Sequence, residues 1–435
     1  MKRLLLGSLV LLTSLGLAHA QDVNSSSPSY VRVDSIALRD RLETMPALAS
    51  GPESDPGGGV RVPADREGET KSRFWISSEY LLWKIKRSNL PPLVAVTTNI
   101  NSPGSIPAIG RPGTVVVLGG SKLERGEFPG GRFTAGMWVN KERNIGVEVG
   151  YFFLRERTFN FQLSSSGEPG SLTIGIPSFD PIFGSEEALR LSFSGNQDRA
   201  SGSVSVTSPT RLLGAETNLI YRLRRNRYGL ASLLGGFRYL DLKEQLTMVD
   251  INSTQSTNSV NIRTAHIFRT DQFSTRNQIY GAKAEARFDF SYHRLNLKMD
   301  VSAALGVNRQ SVQINGSTSD DVDHQTFTGG FFALVTNIGQ YRRDRLIVAP
   351  EAMANLGYNF NSHFRASVGY DFFYLNKIVR PEEQIDRVVN FTRVPAPDFQ
   401  GSSLPLNFGP LRPVFNFKES DFWAQGLSIG IQTRF

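Results

Sequence analysis

From residue 72 to the end of the chain, apolar and polar positions alternate with period two, and the alternation recurs in separate spans. The clearest are 73–86, 131–140, 144–154, 211–222, 229–242, 278–290, 294–308, 345–360, 363–376 and 421–435. Each matches or slightly exceeds the roughly 9–11 residues that cross a bilayer as a tilted strand. The last span shows the pattern most plainly. Trp423, Gln425, Leu427, Ile429, Ile431, Thr433 and Phe435 fall on one side, and Ala424, Gly426, Ser428, Gly430, Gln432 and Arg434 on the other. A greasy face, a small polar face and a terminal aromatic suit the closing strand of an outer-membrane barrel, with lipid outside and a lumen inside. A soluble sandwich can also end on an alternating strand, so the other spans carry the argument.

The connections alternate in length. Asn140 to Asn144, Arg222 to Gly229, Phe290 to Arg294 and Phe360 to His363 are tight, whereas 87–130, 155–210, 243–277, 309–344 and 377–420 are long. Short periplasmic turns and long extracellular loops are the outer-membrane arrangement. This predicts an all-β fold, a transmembrane antiparallel up-and-down β-barrel of about ten strands over residues 72–435. Thr158 to Leu163, Ser203 to Thr207, Gln245 to Ile251 and Val260 to Ile267 alternate again. They are expected to extend the hairpins beyond the membrane as ribbons. If two of them enter the bilayer, the count becomes twelve.

The two faces differ in chemistry. One carries uninterrupted apolar runs such as Phe133/Ala135/Met137/Val139, Ile145/Val147/Val149/Tyr151/Phe153 and Leu295/Leu297/Met299/Val301/Ala303, and the runs at Leu346 to Leu356 and Phe364 to Phe372 continue them. A charge there at mid-membrane would cost roughly 2–4 kcal/mol. The opposite face carries Glu79, Arg132, Glu148, Glu216, Arg238, Lys283, Glu285, Arg287, Lys298, Asp300, Glu351, Arg365, Asp371 and Arg434. In a barrel of about ten strands this rail points inward, where similar numbers of opposite charges must pair. Pairs such as Glu285 with Arg287 and Lys298 with Asp300 share a face at spacing two. Structural packing is one role for the rail; a path for ions or small solutes is the alternative.

The N-terminus sets the compartment. Lys2 and Arg3, the apolar run Leu4 to Leu17 and Ala18-His19-Ala20 describe a signal peptide over residues 1–20. Residues 21–71 are polar and rich in Pro and Gly, the composition of a flexible periplasmic segment. No later apolar run is long enough to span as a helix, so an integral membrane form must be a barrel. The chain has no cysteine, which excludes disulfides, thiolate metal sites and a c-type haem. The formal net charge of +8 is modest for 435 residues and unclustered, which argues against a nucleic-acid partner.

Catalytic signals are weak, and no cofactor, metal or catalytic residue is expected. Asp323-His324, in an acidic stretch of a long loop, is the one acid–histidine pair able to activate water at a barrel mouth, and a solvated loop explains it as well. The segment from Lys377 to Ser420 carries Pro381, Pro395, Pro397, Pro405, Pro410 and Pro413. It opens with Arg380, Glu382, Glu383, Asp386 and Arg387 interleaved with Ile385, Val388 and Val389. A solvated loop does not need those apolar residues, so the segment is expected to fold over or into the barrel mouth as a plug or lid. There its charges are expected to meet lumen groups such as Arg365 or Asp371.

The stretches GGRFTAGMWVN (130–140), GVEVGYFFL (146–154), RLLGAETNLIY (211–221), GFRYLDLKEQL (236–246), DQFSTRNQIYGA (271–282), NIGQYRRDR (337–345), RPEEQIDRVVN (380–390) and DFWAQGL (421–427) resemble, in order, the beta-barrel protein seven family of planctomycete outer-membrane proteins. The resemblance covers roughly residues 73–435 and implies an outer-membrane barrel. It brings no activity, substrate or catalytic residue with it. The expected role is therefore structural or surface-interacting rather than enzymatic, with a narrow pore or a loop-borne hydrolase at Asp323 and His324 as rivals. The expected partners are outer-membrane lipid, the barrel-assembly machinery through the strand ending in Phe435, and an unknown surface ligand.

Overall fold

The computed structural model describes residues 72–97, 106–194, 198–225, 229–256, 264–321, 324–395 and 406–435. The expected signal peptide, the segment 21–71 and Asp323 lie outside the described residues. Ten long strands form the body: β1 (Phe74–Ile85), β2 (Glu127–Trp138), β3 (Ile145–Ser165), β4 (Asp198–Arg225), β5 (Gly229–Ser256), β6 (Thr264–Tyr292), β7 (Leu295–Asp320), β8 (Gly339–Asn359), β9 (Phe364–Ile378) and β10 (Ser420–Arg434). Each pairs antiparallel with the next, and β10 returns to β1, so the sheet is a closed ten-stranded barrel. The count is ten, not twelve. The ribbons at 158–163, 203–207 and 245–251, and residues 264–267 of the fourth, continue the barrel strands and add none; residues 260–263 lie outside the described residues.

Closure runs from Trp75 opposite Arg434 to Ile85 opposite Ala424. The terminal residue finishes it. The Phe435 N–H donates to the Phe74 carbonyl at 2.9 Å, and the Phe74 N–H to the Phe435 carbonyl at 3.2 Å. Tight turns gather at the end that holds β1's start and the C-terminus. Asn140 caps the β2–β3 turn by accepting the Asn144 and Ile145 N–H groups, each at 3.1 Å. His293 sits at φ 51°, the left-handed conformation that the β6–β7 turn requires.

Alternation builds the wall. Leu295, Leu297, Met299, Val301, Leu305 and Val307 of β7 face outward, while Asn296, Asp300, Ala304, Asn308 and Gln310 are buried inside. Aromatic residues border the outer apolar band. Phe74, Phe290, Tyr292, Tyr358, Phe360, Phe364 and Phe435 ring the turn end, and Tyr239 with Tyr280 (5.1 Å) marks the loop-end border. Beyond that border, Arg276 pairs with Asp241 at 2.8 Å and apolar outer positions give way to polar ones.

The strands are unequal. β4, β5, β6 and β7 run for 28, 28, 29 and 26 residues, whereas β1 and β2 have 12 each. The spans 155–210, 243–277 and 309–344, expected as long loops, are therefore largely strand. β3 to β8 rise past the apolar band as a tall wall that is open on the side of β1, β2, β9 and β10. The remaining loops pack against its inner face. Leu93, Val94, Ile174, Ile176, Phe331, Phe332, Ile385 and Val389 meet Val204, Val206, Leu246, Met248, Phe273, Val312 and Ile314 in one core. Here the hydrophobic effect, not lipid, holds the fold together.

Deleting Phe435 removes both closing hydrogen bonds and an aromatic of the turn-end girdle. Full-length protein should resist SDS without heating and shift its migration on boiling. The deletion should lower the SDS-resistant fraction severalfold, and an unchanged fraction on semi-native gels would contradict this account of closure.

Candidate functional site in the barrel lumen

The inner face is layered from the turn end to the loop end. On β5 it reads Ser232, Leu234, Gly236 and Arg238, then Leu240 and Leu242, then Glu244, then Leu246 and Met248. Neighbouring strands follow the same sequence of charged, apolar, polar and apolar. Glycines let the lumen close in: a Cβ on Gly236 would stand 1.9 Å from the Thr217 carbonyl oxygen.

All fourteen residues of the charge rail face the interior. Arg132 bonds Glu79 at 2.9 Å and Asp371 at 3.2 Å, and the Trp83 indole also donates to Asp371. A second group begins at Arg238, which engages Glu351 and, at 3.8 Å, Glu216. Lys283 joins Glu216 (2.9 Å) to Glu285 (2.7 Å), and Arg287 binds Glu285 (2.8 Å), Glu148 (2.9 Å) and Asp300 (3.0 Å). Lys298 completes the chain on Asp300 at 3.1 Å. Removing Arg238 would leave the buried Glu351 carboxylate uncompensated, at a cost of roughly 3–5 kcal/mol, whereas Arg287 and Lys283 share several acids. Arg365 and Arg434 stand apart from both groups, toward the turn end.

Above the charges, Leu81, Trp83, Phe152, Leu240, Leu242, Ile279, Ile347, Phe373, Leu375 and Phe422 close the bore with an apolar layer. Pattern reading missed this layer. The signal was available, because Leu240, Leu242 and Ile279 share the parity of the inward charges.

The segment after β9 seals the loop end. Lys377, at φ 52°, bends the chain inward. Its carbonyl accepts from Gln310 at 2.7 Å and Asn308 at 3.1 Å. The Asn277 amide then pairs with both backbone groups of Val379, at 2.8 and 2.9 Å, as a strand neighbour would. Fully buried Arg380 forks onto Glu244 at 2.6 and 3.0 Å. Fully buried Glu382 takes the Arg125 guanidinium and the Ser208 hydroxyl (3.2 Å). Glu383 is half-buried close by. Asp386 accepts from Arg412 (2.9 Å) and the Val414 N–H (3.0 Å), and Arg387 meets Glu186 at 2.7 Å. Phe179 and Val388 form a parallel bridge that ties the segment to the strand Thr173–Asp180.

One expectation about this segment is corrected. Its charges do not meet Arg365 or Asp371, because the apolar layer lies between them and Asp371, and Arg365 stands farther still toward the turn end. Their partners are Glu244, Arg125, Ser208 and Glu186 on the tall wall and the loops, and Arg412 within the segment's own connection. Although burial opposes its charge, Arg380 and then Arg125 hold the Glu244 carboxyl below the usual glutamate range.

A second clamp lies higher. The Asp271 carboxylate accepts the N–H groups of Phe331, Phe332 and Ala333 at 2.7–3.1 Å, which seats Phe331 against Phe391 with ring centres 5.5 Å apart. Burial pushes this carboxyl up to about 7, against the opposing pull of those N–H groups.

Chemistry-bearing sets are sparse. His324 is exposed, at φ 52°. At a ribbon tip Ser253 touches His266, whose Nε2 lies 3.8 Å from Asp321, too far for a hydrogen bond. Asp321 instead accepts the His266 backbone N–H at 2.8 Å, a strand-end cap. Among the described residues no three His, Asp or Glu side chains are placed to hold a metal ion.

A closed meander with an apolar exterior, an ion-paired interior and all short turns at one end defines an outer-membrane β-barrel of porin-like fold. The family described as putative beta barrel porin-7 matches residues 75–435, and the chain belongs to it. No curated protein matches the chain. Among solved structures, the outer-membrane protease OmpT of Escherichia coli is similar at 9% identity, covering 84% of this chain and 98% of its own, with a TM-score of 0.38. The toluene transporters TodX of P. putida and TbuX of Ralstonia pickettii are similar at 6% and 8% identity. They cover 84% and 85% of this chain and 91% and 92% of their own, with TM-scores of 0.20 and 0.18. At such values these likenesses carry no argument about role.

Two outcomes follow for the seal. Arg380→Ala leaves Glu244 buried without its partner and should loosen the segment by about 3–5 kcal/mol. Tryptic cleavage after Arg387 in folded protein, slow in the parent, should become at least tenfold faster. Asp271 binds its proton more tightly folded than at the ~3.9 of an unfolded aspartate. The stability it contributes is therefore full below about pH 4 and is lost as pH rises through about 7. Thermal unfolding midpoints should fall across that window, and Asp271→Asn should flatten the slope.

Proposed function

We propose that this protein is an integral outer-membrane barrel with a structural or surface-interaction role, one that neither conducts ions nor catalyses a reaction. In this arrangement the start of β1, the C-terminus and the short turns face the periplasm, and the tall wall with its packed loops stands outside the cell. The apolar layer across the lumen, capped by the Arg380–Glu244 and Glu382–Arg125 seal, carries the proposal. An ion passing along the bore would meet a dry stretch with no polar side chain to replace its water. The surface-interaction role draws on the loop core, which is a folded body with its own hydrophobic interior. Lipid would contact the apolar exterior, and the strand ending in Phe435 would engage the assembly machinery.

The family's description as a porin favours a second role, a narrow pore for small solutes. Planar-bilayer recording separates the two. The sealed barrel should give no steady current above the lipid baseline, and a stable ohmic channel in the parent protein would install the pore instead. A loop-borne hydrolase draws only on the exposed His324, and hydrolysis abolished by His324→Ala would revive it.

A further inference from the structure

Below the charge rail the lumen widens into a cavity of about 810 Å³ that opens at the turn end. Seven Arg and Lys side chains line it against three Asp and Glu, with amides and hydroxyls between them. The rail accounts for some of both signs: Glu79 is held by Arg132, Glu148 by Arg287 and the Trp75 indole, and Arg287 and Lys298 by Asp300. Outside the rail pairs the lining carries Arg143, Arg222, Arg294, Arg365 and Arg434 against Asp289. The lining is therefore electropositive, and the apolar layer above makes it blind-ended, which concentrates its field on whatever enters.

Arg365 is the centre of this surface. Its Nε donates to the Asn359 side-chain oxygen at 2.8 Å and its Nη1 to that of Asn296 at 2.9 Å. Both partners are neutral, so they fix the plane of the guanidinium without cancelling its charge. Gly357 makes the pose possible, since a Cβ there would stand 2.9 Å from the Arg365 Cδ. Arg434 lines the same wall, on the strand where Gln432 sits opposite Arg365. Like charges side by side repel, and a shared anion would offset that repulsion.

We propose that this turn-end vestibule binds a small polyanionic solute bearing phosphate or carboxylate groups, with Arg365 as its principal grip. With Nε held by Asn359, the Nη end of the guanidinium is left to meet the oxygens of a carboxylate or phosphate, and the amide-rich walls supply further donors. The rim brings a reporter. Trp75 and Trp138 stand 5.0 Å apart, and the Arg222 guanidinium lies 4.0 Å from the Trp138 ring centre. This inference goes beyond the proposed role and does not depend on conductance, because binding is read in micelles.

The test is isothermal titration calorimetry, with tryptophan fluorescence in parallel, on refolded full-length protein in an uncharged detergent. Pyrophosphate and citrate are the probes and maltose is the neutral control. Saturable binding of either anion, weakened by salt, with maltose silent, is expected. Pyrophosphate alone assigns phosphate chemistry, and citrate alone assigns carboxylate chemistry. Arg365→Gln should lower affinity about tenfold or more, as loss of a charge-assisted hydrogen bond implies. Gly357→Ala, which displaces the same side chain, should do likewise, and it decides the matter if Arg365→Gln does not fold. No saturable binding of either anion, or equal affinity in the folded variants, overturns the proposal.

Discussion

Across the middle of the barrel, ten strands enclose a space too narrow for open water and too wide to leave empty, so the inward side chains there must find partners across the bore. That single requirement organises the molecule. It is why the rail is a chain of shared ions rather than separate pairs: Arg287 alone serves Glu148, Glu285 and Asp300. It is also why the rail stops. Above it the same volume is taken by Trp83, Phe152, Phe373 and Phe422, whose bulk needs no counter-ion. The two solutions to one packing problem, stacked along the axis, separate a wet end from a dry one.

The tall wall repeats the problem without a closed sheet. Past the lipid band β3 to β8 have no neighbours on their open side, and the loops complete the enclosure. Their contribution is hydrophobic, but their registration is polar. Asn277 imitates a strand, Asp271 is the anion held by the successive N–H groups of Phe331 to Ala333, and Arg380 fills the centre. Satisfied polar groups of this sort give a loop one address rather than many.

Much of this was legible in the chain. The alternation at 421–435 predicts β10 and its faces, and parity alone puts Glu216, Lys283 and Asp300 inside. Val389 and Ile385, sitting among charges, betray a buried segment. What parity cannot supply is who meets whom. Arg380 and Glu244 are 136 residues apart, and nothing local to RPEEQ names the partner. The apolar layer was hidden by the same reasoning that found the rail. Once charges mark a face as aqueous, Leu240 and Leu242 on that face look like exceptions, whereas in space they align with Ile279 and Phe373 as a septum. The ribbons at 158–163 and 203–207 were visible as strands, but only pairing partners showed that they prolong β3 and β4.

The place of the sealing segment in the chain couples it to barrel closure. It lies between β9 and β10, and β10 is the strand that meets β1. Pairing from β1 to β9 proceeds between sequence neighbours, while the final seam joins residues near 75 to residues near 434 and carries the largest loop-closure entropy. The sealing residues 379–394 belong to the stretch of chain whose next strand forms that seam. Stopper and seam are therefore one covalent piece, and docking the first shortens the free chain over which the second must close.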